Sequence, residues 1–376
     1  MTAPPDSIQD YRDAVEGKNI LVTGGTGTVG YELLKTLIAL KPRVVRIFSR
    51  DEQKQFYLRE EFRDRQDLRF LVGDVRDLPR LRRAMDEVEV VFHLAALKHV
   101  ESCEYNPFEA IKTNINGTQN VVDAALEADV ESVVFTSTDK AVNPSNAMGA
   151  SKLMAEKLLV AGQFSKGPRR TRFSSVRFGN VLGSSGSVVP SFVHRIRSGQ
   201  PIDITHPGMT RYVIGFADCI ELLLRACRDA RGGEIFVRKM PVVRITDLAA
   251  ALIAEMAENF GVPAVPTRDV GPRAGEKLFE ELVTEEESTR TIDVGDYLVV
   301  LPQIGTREHR FPDAKPIAPG AVSSRDGETI SVEAIRALLN RHGTLRDPNL
   351  LAGIRVAAPP FGGAPGDGFM ETVNAG

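Results

Sequence analysis

From residue 18 onward, short apolar runs alternate with stretches in which apolar residues recur at helical spacing. The first run, residues 19–22, is followed by Val29, Leu33, Leu34, Leu37 and Ile38, which share one helix face. A second strand is predicted over 43–48, then a charged helical stretch to Arg65. Residues 68–72, 89–94, 132–136 and 173–177 continue the series, each a helix-length from the last. Alternating strands and helices at this spacing predict an α/β fold, a doubly wound parallel sheet covered on both faces.

After Arg177 the rhythm loosens. Residues 179–208 are rich in Gly, Ser and Pro and read as loops around a helix at 188–197. An apolar helix is expected at 218–231, a strand at 234–237 rejoining the sheet, and helices of a smaller C-terminal lobe at 246–259 and 276–284. The expected division is an N-terminal tail (1–17), a sheet domain (18–180, completed by about 212–240), a substrate-binding lobe (181–211 and 241–342) and a flexible Pro/Gly-rich tail (343–376).

Composition narrows the class. Of 376 residues 42% are hydrophobic and 26% charged, ordinary for a folded protein, and the net charge of −3 gives no footprint for nucleic acid or an anionic membrane. Cys103, Cys219 and Cys227 make no disulfide framework; the last two lie two helical turns apart, about 12 Å, too far to bridge. The start of the chain carries no apolar signal region, and no run approaches a membrane span, so a cytoplasmic protein is expected. His99, His194 and His206 have no ligand spacing, and no metal site is expected.

The first βα turn reads Thr23-Gly24-Gly25-Thr26-Gly27-Thr28-Val29-Gly30. Glycines 24, 27 and 30 allow a tight turn, close approach of the backbone to a pyrophosphate, and helix–strand packing, with the helix N-terminus receiving the charge. A dinucleotide cofactor follows. At the end of the second strand, where an acid would hold the ribose of NAD, stand Ser49, Arg50 and, one turn on, Lys54. A hydroxyl and two cations suit a 2′-phosphate, so NADP is expected, with NAD as the alternative because Asp51 is close. Asp74 and Val75 would flank the adenine; Ala95, Ala96 and Lys98 would lie along the ribose and nicotinamide.

Thr138, Asp139 and Lys140 end the apolar strand at 132–136, and Lys152 follows one turn into a helix. An adjacent acid and base beside a hydride acceptor suggests removal of a proton and a hydroxyl from neighbouring carbons. A solvated turn ion pair is the plain alternative. Here the resemblance becomes specific. The glycine pattern, the run from Leu94 to Val100, and Asn106-Pro107-Phe108-Glu109-Ala110 through Asn114 resemble extended short-chain dehydrogenase/reductases, with a Rossmann fold. Ser137 to Ala141, Arg177 to Ser184, Met209-Thr210-Arg211 and Arg273 to Lys277 resemble, more narrowly, the UDP-N-acetylglucosamine 4,6-dehydratases of surface-glycan synthesis. The likeness spans about residues 18–291.

What the resemblance implies is a sequence of steps. C4 of the sugar is oxidised, the C5 proton and C6 hydroxyl leave as water, and the hydride returns to C6, so the bound dinucleotide is regenerated each turnover. Lys140 would be the C5 base, burial pushing its pKa down, and Asp139 the acid, with the two roles exchangeable. Thr138 would bind the sugar O4, Lys152 the nicotinamide ribose, and Asn114 the cofactor. Asn180, Arg211 and Arg273 would grip the diphosphate, with Lys98 beside them, and Glu276 the uridine ribose. Met148 departs from the pattern: it stands where the family's Ser/Thr–Tyr–Lys triad has Tyr, and a thioether takes no proton, leaving Asp139 or a water as the C4 base. Part of this family also carries Met at that position. A 4-epimerase would need the Tyr, and a silent NADP sensor would leave the acid–base pair without use. The C5-inverting branch is the nearer likeness, and a homo-oligomer is expected.

Overall fold

The structure, a computed structural model, describes residues 6–305 and 309–346. Its centre is a ten-stranded sheet: β1 (Asn19–Thr23), β2 (Val44–Ser49), β3 (Leu68–Val72), β4 (Val90–His93), β5 (Ser132–Thr136), β6 (Arg172–Arg177), β7 (Ile235–Arg238), β8 (Thr291–Asp293), β9 (Tyr297–Val300) and β10 (Lys315–Pro316). Their spatial order is β10-β8-β9-β7-β6-β5-β4-β1-β2-β3. Strands β1 to β7 are parallel, each pair separated in sequence by a helix, as the repeated apolar runs predict. Every residue of β1, β4 and β5 is buried, which explains why these strands read as continuous apolar runs rather than alternations. The strand order reverses between β1 and β4, and a crevice outside the carboxyl ends of such strands is where a doubly wound sheet receives a ligand.

Beyond β7 the sheet turns antiparallel through β9, β8 and β10, an extension outside the alternation of strands and helices read from the sequence. A second apolar core joins the helices Val188–Arg197, Ile245–Phe260 and Val332–Arg341 through Phe192, Ile196, Leu248, Leu252, Ile335 and Leu339. This forms the smaller lobe.

Two expectations change. The helix expected at 276–284 is absent: residues 271–280 are irregular and lead into a short strand, Glu281–Val283, paired with Val322–Ser323. Glu276, Glu280 and Glu281 gave that segment helix-forming composition, but Leu282 and Val283 pack in one apolar cluster with Ile235, Val237, Leu298 and Val300 of the central sheet. Near the N-terminus, Ile8, Tyr11 and Val15 are buried in the main core rather than trailing as a tail. Of the expected C-terminal tail, residues 343–346 form a turn with Leu345 buried, and 347–376 lie outside the described residues.

Candidate active site

A cleft of about 850 Å³ runs over the carboxyl ends of the parallel strands and up to the smaller lobe. Every site residue picked out from the sequence lines it except Asn114 and Asp139.

At the glycine turn, Gly24 has φ +70°, and a Cβ there would lie 2.7 Å from the Ala95 nitrogen. The turn after β1 is thus pressed against the segment after β4, and only glycine fits. A Cβ on Gly30 would meet the Gly24 carbonyl at the same 2.7 Å. The helix Thr28–Ala39 starts at Gly27 with no side-chain cap, so its first N–H groups face the cleft unshielded by a side chain. Beside it, the Thr26 and Ser49 hydroxyls share a 2.7 Å hydrogen bond. Asp51 caps the next helix by accepting from the Lys54 N–H at 2.9 Å and pairs with the Lys54 ammonium at 3.2 Å. Half-exposed Arg50 reaches Asp74 at 3.5 Å.

Asn114 has another task. Its amide exchanges hydrogen bonds with the Leu97 backbone (2.8 and 3.0 Å) and donates to Ser151 at 2.8 Å, so its polar atoms are spent inside the chain. It positions the segment carrying Ala95, Ala96 and Lys98 rather than facing a ligand. Lys98 crosses the cleft to donate to the Ser185 carbonyl at 2.6 Å.

The turn after β5 carries the reacting end. Thr138 caps a 3₁₀ turn, Asp139–Ala141, and its hydroxyl donates to Asp139 Oδ1 at 2.8 Å. The Lys140 ammonium donates to the same oxygen at 2.8 Å and to Asn180 Oδ1 at 3.2 Å. Asp139 is wholly enclosed, and its Oδ2 has no partner. The sequence reading had burial lowering Lys140. Burial does act that way, but the carboxylates of Asp139 and Glu280 outweigh it and hold the ammonium above its usual range. Glu280 was missed by the sequence reading. It lies 3.9 Å from Lys140 and 3.8 Å from Arg211, is pushed up chiefly by burial, and only its position on a cleft-facing loop marks it.

The helix Ala147–Ser165 docks on this turn so closely that a Cβ on Gly149 would lie 2.1 Å from the Lys140 carbonyl. That fixes its neighbour Met148, which is buried in a small apolar cluster with Cys103 and Ala110 while its edge meets the cleft. Lys152, one turn on, donates to the Thr136 carbonyl at 2.8 Å and sits 4.5 Å over the Phe135 ring; burial lowers it to about 8.

Arg211 is buried and anchored to the carbonyls of Thr210 and Lys277, both at 2.8 Å, with Glu276 at 3.6 Å. Arg273 is exposed at the cleft mouth and paired with Glu101 at 2.8 Å. The two arginines share the cleft without sharing a hydrogen-bond partner. Among the described residues no group of His, Cys, Asp and Glu could hold a metal ion, and no helix is long and apolar enough to cross a membrane.

A family model described as "Polysaccharide biosynthesis protein" matches residues 20–302. A Methanocaldococcus jannaschii protein known only as an uncharacterized membrane protein is 48% identical, the alignment covering 88% of this chain and 98% of that one. A Campylobacter jejuni UDP-N-acetylglucosamine 4,6-dehydratase (inverting) is 45% identical over 77% of this chain and 84% of its own. A Rickettsia typhi protein named UDP-glucose 4-epimerase is 43% identical over 74% and 82%. Among solved structures, Pen from Bacillus thuringiensis superposes with a TM-score of 0.83 at 42% identity, covering 88% of this chain and 99% of its own.

Proposed function

The chain belongs to the polysaccharide biosynthesis protein family of extended short-chain dehydrogenase/reductases, and from that premise we infer that it is a nucleotide-sugar 4,6-dehydratase. Its substrate on this reading is UDP-N-acetylglucosamine and its product the 4-keto-6-deoxy sugar. One observation carries the inference: two buried carboxylates and an ammonium meet at the end of β5, beside the cleft that the glycine turn opens. A 4-epimerase has no C5 proton to move and no use for such a group.

A bound nicotinamide dinucleotide supplies a hydride acceptor at C4 and, later, a hydride donor at C6. The cradle fits one: a Cβ at Gly24 or Gly30 would fill the space the backbone leaves, and the helix start beyond Gly27 is uncapped. Because the Asp51 carboxylate is engaged at the helix cap, Ser49 and the exposed cations Arg50 and Lys54, each held only by a surface ion pair, are the groups at hand for a 2′-phosphate, which favours NADP over NAD. Lys152 would hold the nicotinamide ribose.

Met148 leaves the C4 hydroxyl without the family's usual base. Thr138 answers this through its bond to Asp139: the sugar O4 gives its proton to the Thr138 oxygen as Thr138 passes its own to Asp139 Oδ1. Lys140, held charged, then begins the elimination as proton donor to the C6 hydroxyl, the exchanged form of the assignment first read from the sequence. Arg211 and Arg273, with Asn180, would orient the diphosphate, and Glu276 the ribose.

The epimerase reading is kept by the Rickettsia relative's name. Purified protein incubated with UDP-N-acetylglucosamine and no added reductant separates the two: product lighter by one water supports the dehydratase, whereas unchanged mass with inverted C4 supports the epimerase.

A further inference from the structure

Glu280 stands outside every motif in the sequence, yet it supplies a carboxylate on the cleft wall, where Asp139 supplies none. Its backbone is pinned on both sides to Ser324: the Glu280 N–H donates to Ser324 Oγ at 2.9 Å, and the Ser324 N–H to the Glu280 carbonyl at 2.9 Å. The side chain is therefore held in place. One oxygen, Oε1, faces Lys140 and Arg211. The other, Oε2, is buried and has no hydrogen-bond partner.

A structural role explains this poorly. Lys140 already has Asp139 at 2.8 Å, and Arg211 already has Glu276 at 3.6 Å, so neither cation requires a second counter-ion. An acceptor buried without a partner costs the fold stability, more when charged. Glu280 is itself a lining residue of the cleft, so its unpartnered oxygen has a use when a ligand enters there.

Resting on the dehydratase reading, we propose that Glu280 is the base that removes the sugar's C5 proton, with Lys140 as the acid for the departing C6 hydroxyl. The C5–H bond breaks, its proton goes to Glu280 Oε2, and its electron pair becomes the C5=C6 double bond as C6–O breaks. The leaving oxygen takes a proton from the Lys140 ammonium and departs as water. Glu280 then passes its proton across to the neutral Lys140 amine; as the hydride returns to C6, Lys140 protonates C5 and is recharged by the proton that Asp139 took from the C4 hydroxyl, 2.8 Å away, which restores all three groups. No further reactant is consumed. Asp139 keeps the separate task of receiving the C4 hydroxyl's proton through Thr138.

The charged groups that face Glu280 are Lys140 and Asp139 from the turn after β5, Arg211 from the strand Thr210–Ile214, and Lys277 from its own loop. Burial raises its pKa and Lys140 opposes; Asp139 raises it further, while Arg211 and Lys277 lower it. The net rise makes it a stronger base than an ordinary carboxylate.

The test uses the full chain with its bound dinucleotide and UDP-N-acetylglucosamine, comparing wild type, Glu280→Gln and Glu280→Asp. Two signals are read: absorbance of the reduced nicotinamide, which reports C4 oxidation, and product mass, which reports loss of water. Glu280→Gln is expected to slow water loss by about 10²–10⁴-fold while reduced nicotinamide still forms, and to erase the acidic limb of the kcat profile. Glu280→Asp, which keeps a carboxyl and guards against a variant that fails to fold, is expected to retain part of the rate with that limb shifted. Undiminished water loss in Glu280→Gln, a higher KM with unchanged kcat, or an unshifted limb in Glu280→Asp overturns the assignment alone. A wild type that removes no water overturns the dehydratase reading with it.

Discussion

Two buried clusters at the ends of neighbouring strands each set a cation between two carboxylates, and are finished differently. At the end of β6, Arg177 donates to both oxygens of Glu156 (2.8 and 2.6 Å), to both oxygens of Glu287 (each 2.8 Å), and to the Leu282 carbonyl. The carboxylates hold the guanidinium far above its usual range against burial, and Glu287 is lowered in return. Just past the end of β5, Lys140 has one close carboxylate and one distant one, and Asp139 Oδ2 and Glu280 Oε2 have no partners. The first cluster ties the sheet to the helix Ala147–Ser165 and to the smaller lobe. The second leaves two buried acceptors beside its cation without hydrogen-bond partners. Every N–H of the Arg177 guanidinium is engaged, whereas two carboxylate oxygens beside Lys140 are not.

The largest expected effect breaks the closed cluster. Arg177→Met strands two buried carboxylates and should cost about 3–5 kcal/mol of stability, read by denaturant unfolding. Lys140→Ala should leave the fold intact, with the dinucleotide still bound, but cut turnover by about 10²–10⁴-fold. Equal loss of stability in both variants would erase the distinction.

Acidity separates the clusters next. Glu287 is lowered by folding, chiefly through Arg177 against the opposing effect of burial, so its contribution is present above its unfolded pKa and is lost as pH falls through the folded value. Glu280 is raised, so its contribution is present below its unfolded pKa and is lost as pH rises through the folded value. Unfolding curves of Glu287→Gln against wild type should therefore converge on acidification. Those of Glu280→Gln should separate toward neutral pH, with the variant the more stable. The smallest effect is at the dinucleotide end. Arg50→Ala should weaken NADP binding about tenfold relative to NAD, measured by titration of the cofactor-free protein.

The parallel half of the fold was legible because strands buried on both faces carry runs of apolar residues, as β1, β4 and β5 do at residues 20–22, 90–92 and 133–135. The glycine turn was legible because Gly24 and Gly30 leave no room for a Cβ. Glu280 was not. It sits among Glu276, Glu281 and Glu285, and nothing in that run distinguishes the one carboxylate that a loop turns inward. Asn114 was read from a motif as a ligand contact, yet its amide is occupied by Leu97 and Ser151. The pKa of Lys140 was misjudged for a related reason: burial was foreseeable from sequence, and the second carboxylate beside it was not. The antiparallel strand β8 is only three residues long, and the apolar run of β9, though present in the sequence, has no helix directly before it to mark it as one more step of the alternation.

The claim beneath both clusters is that the sugar lends its C4 hydride to the bound dinucleotide and takes it back at C6 once water has gone. UDP-N-acetylglucosamine carrying deuterium at C4, turned over in ordinary water, tests it directly. The label is predicted on the C6 methyl group of the product; a methyl group free of deuterium would contradict it.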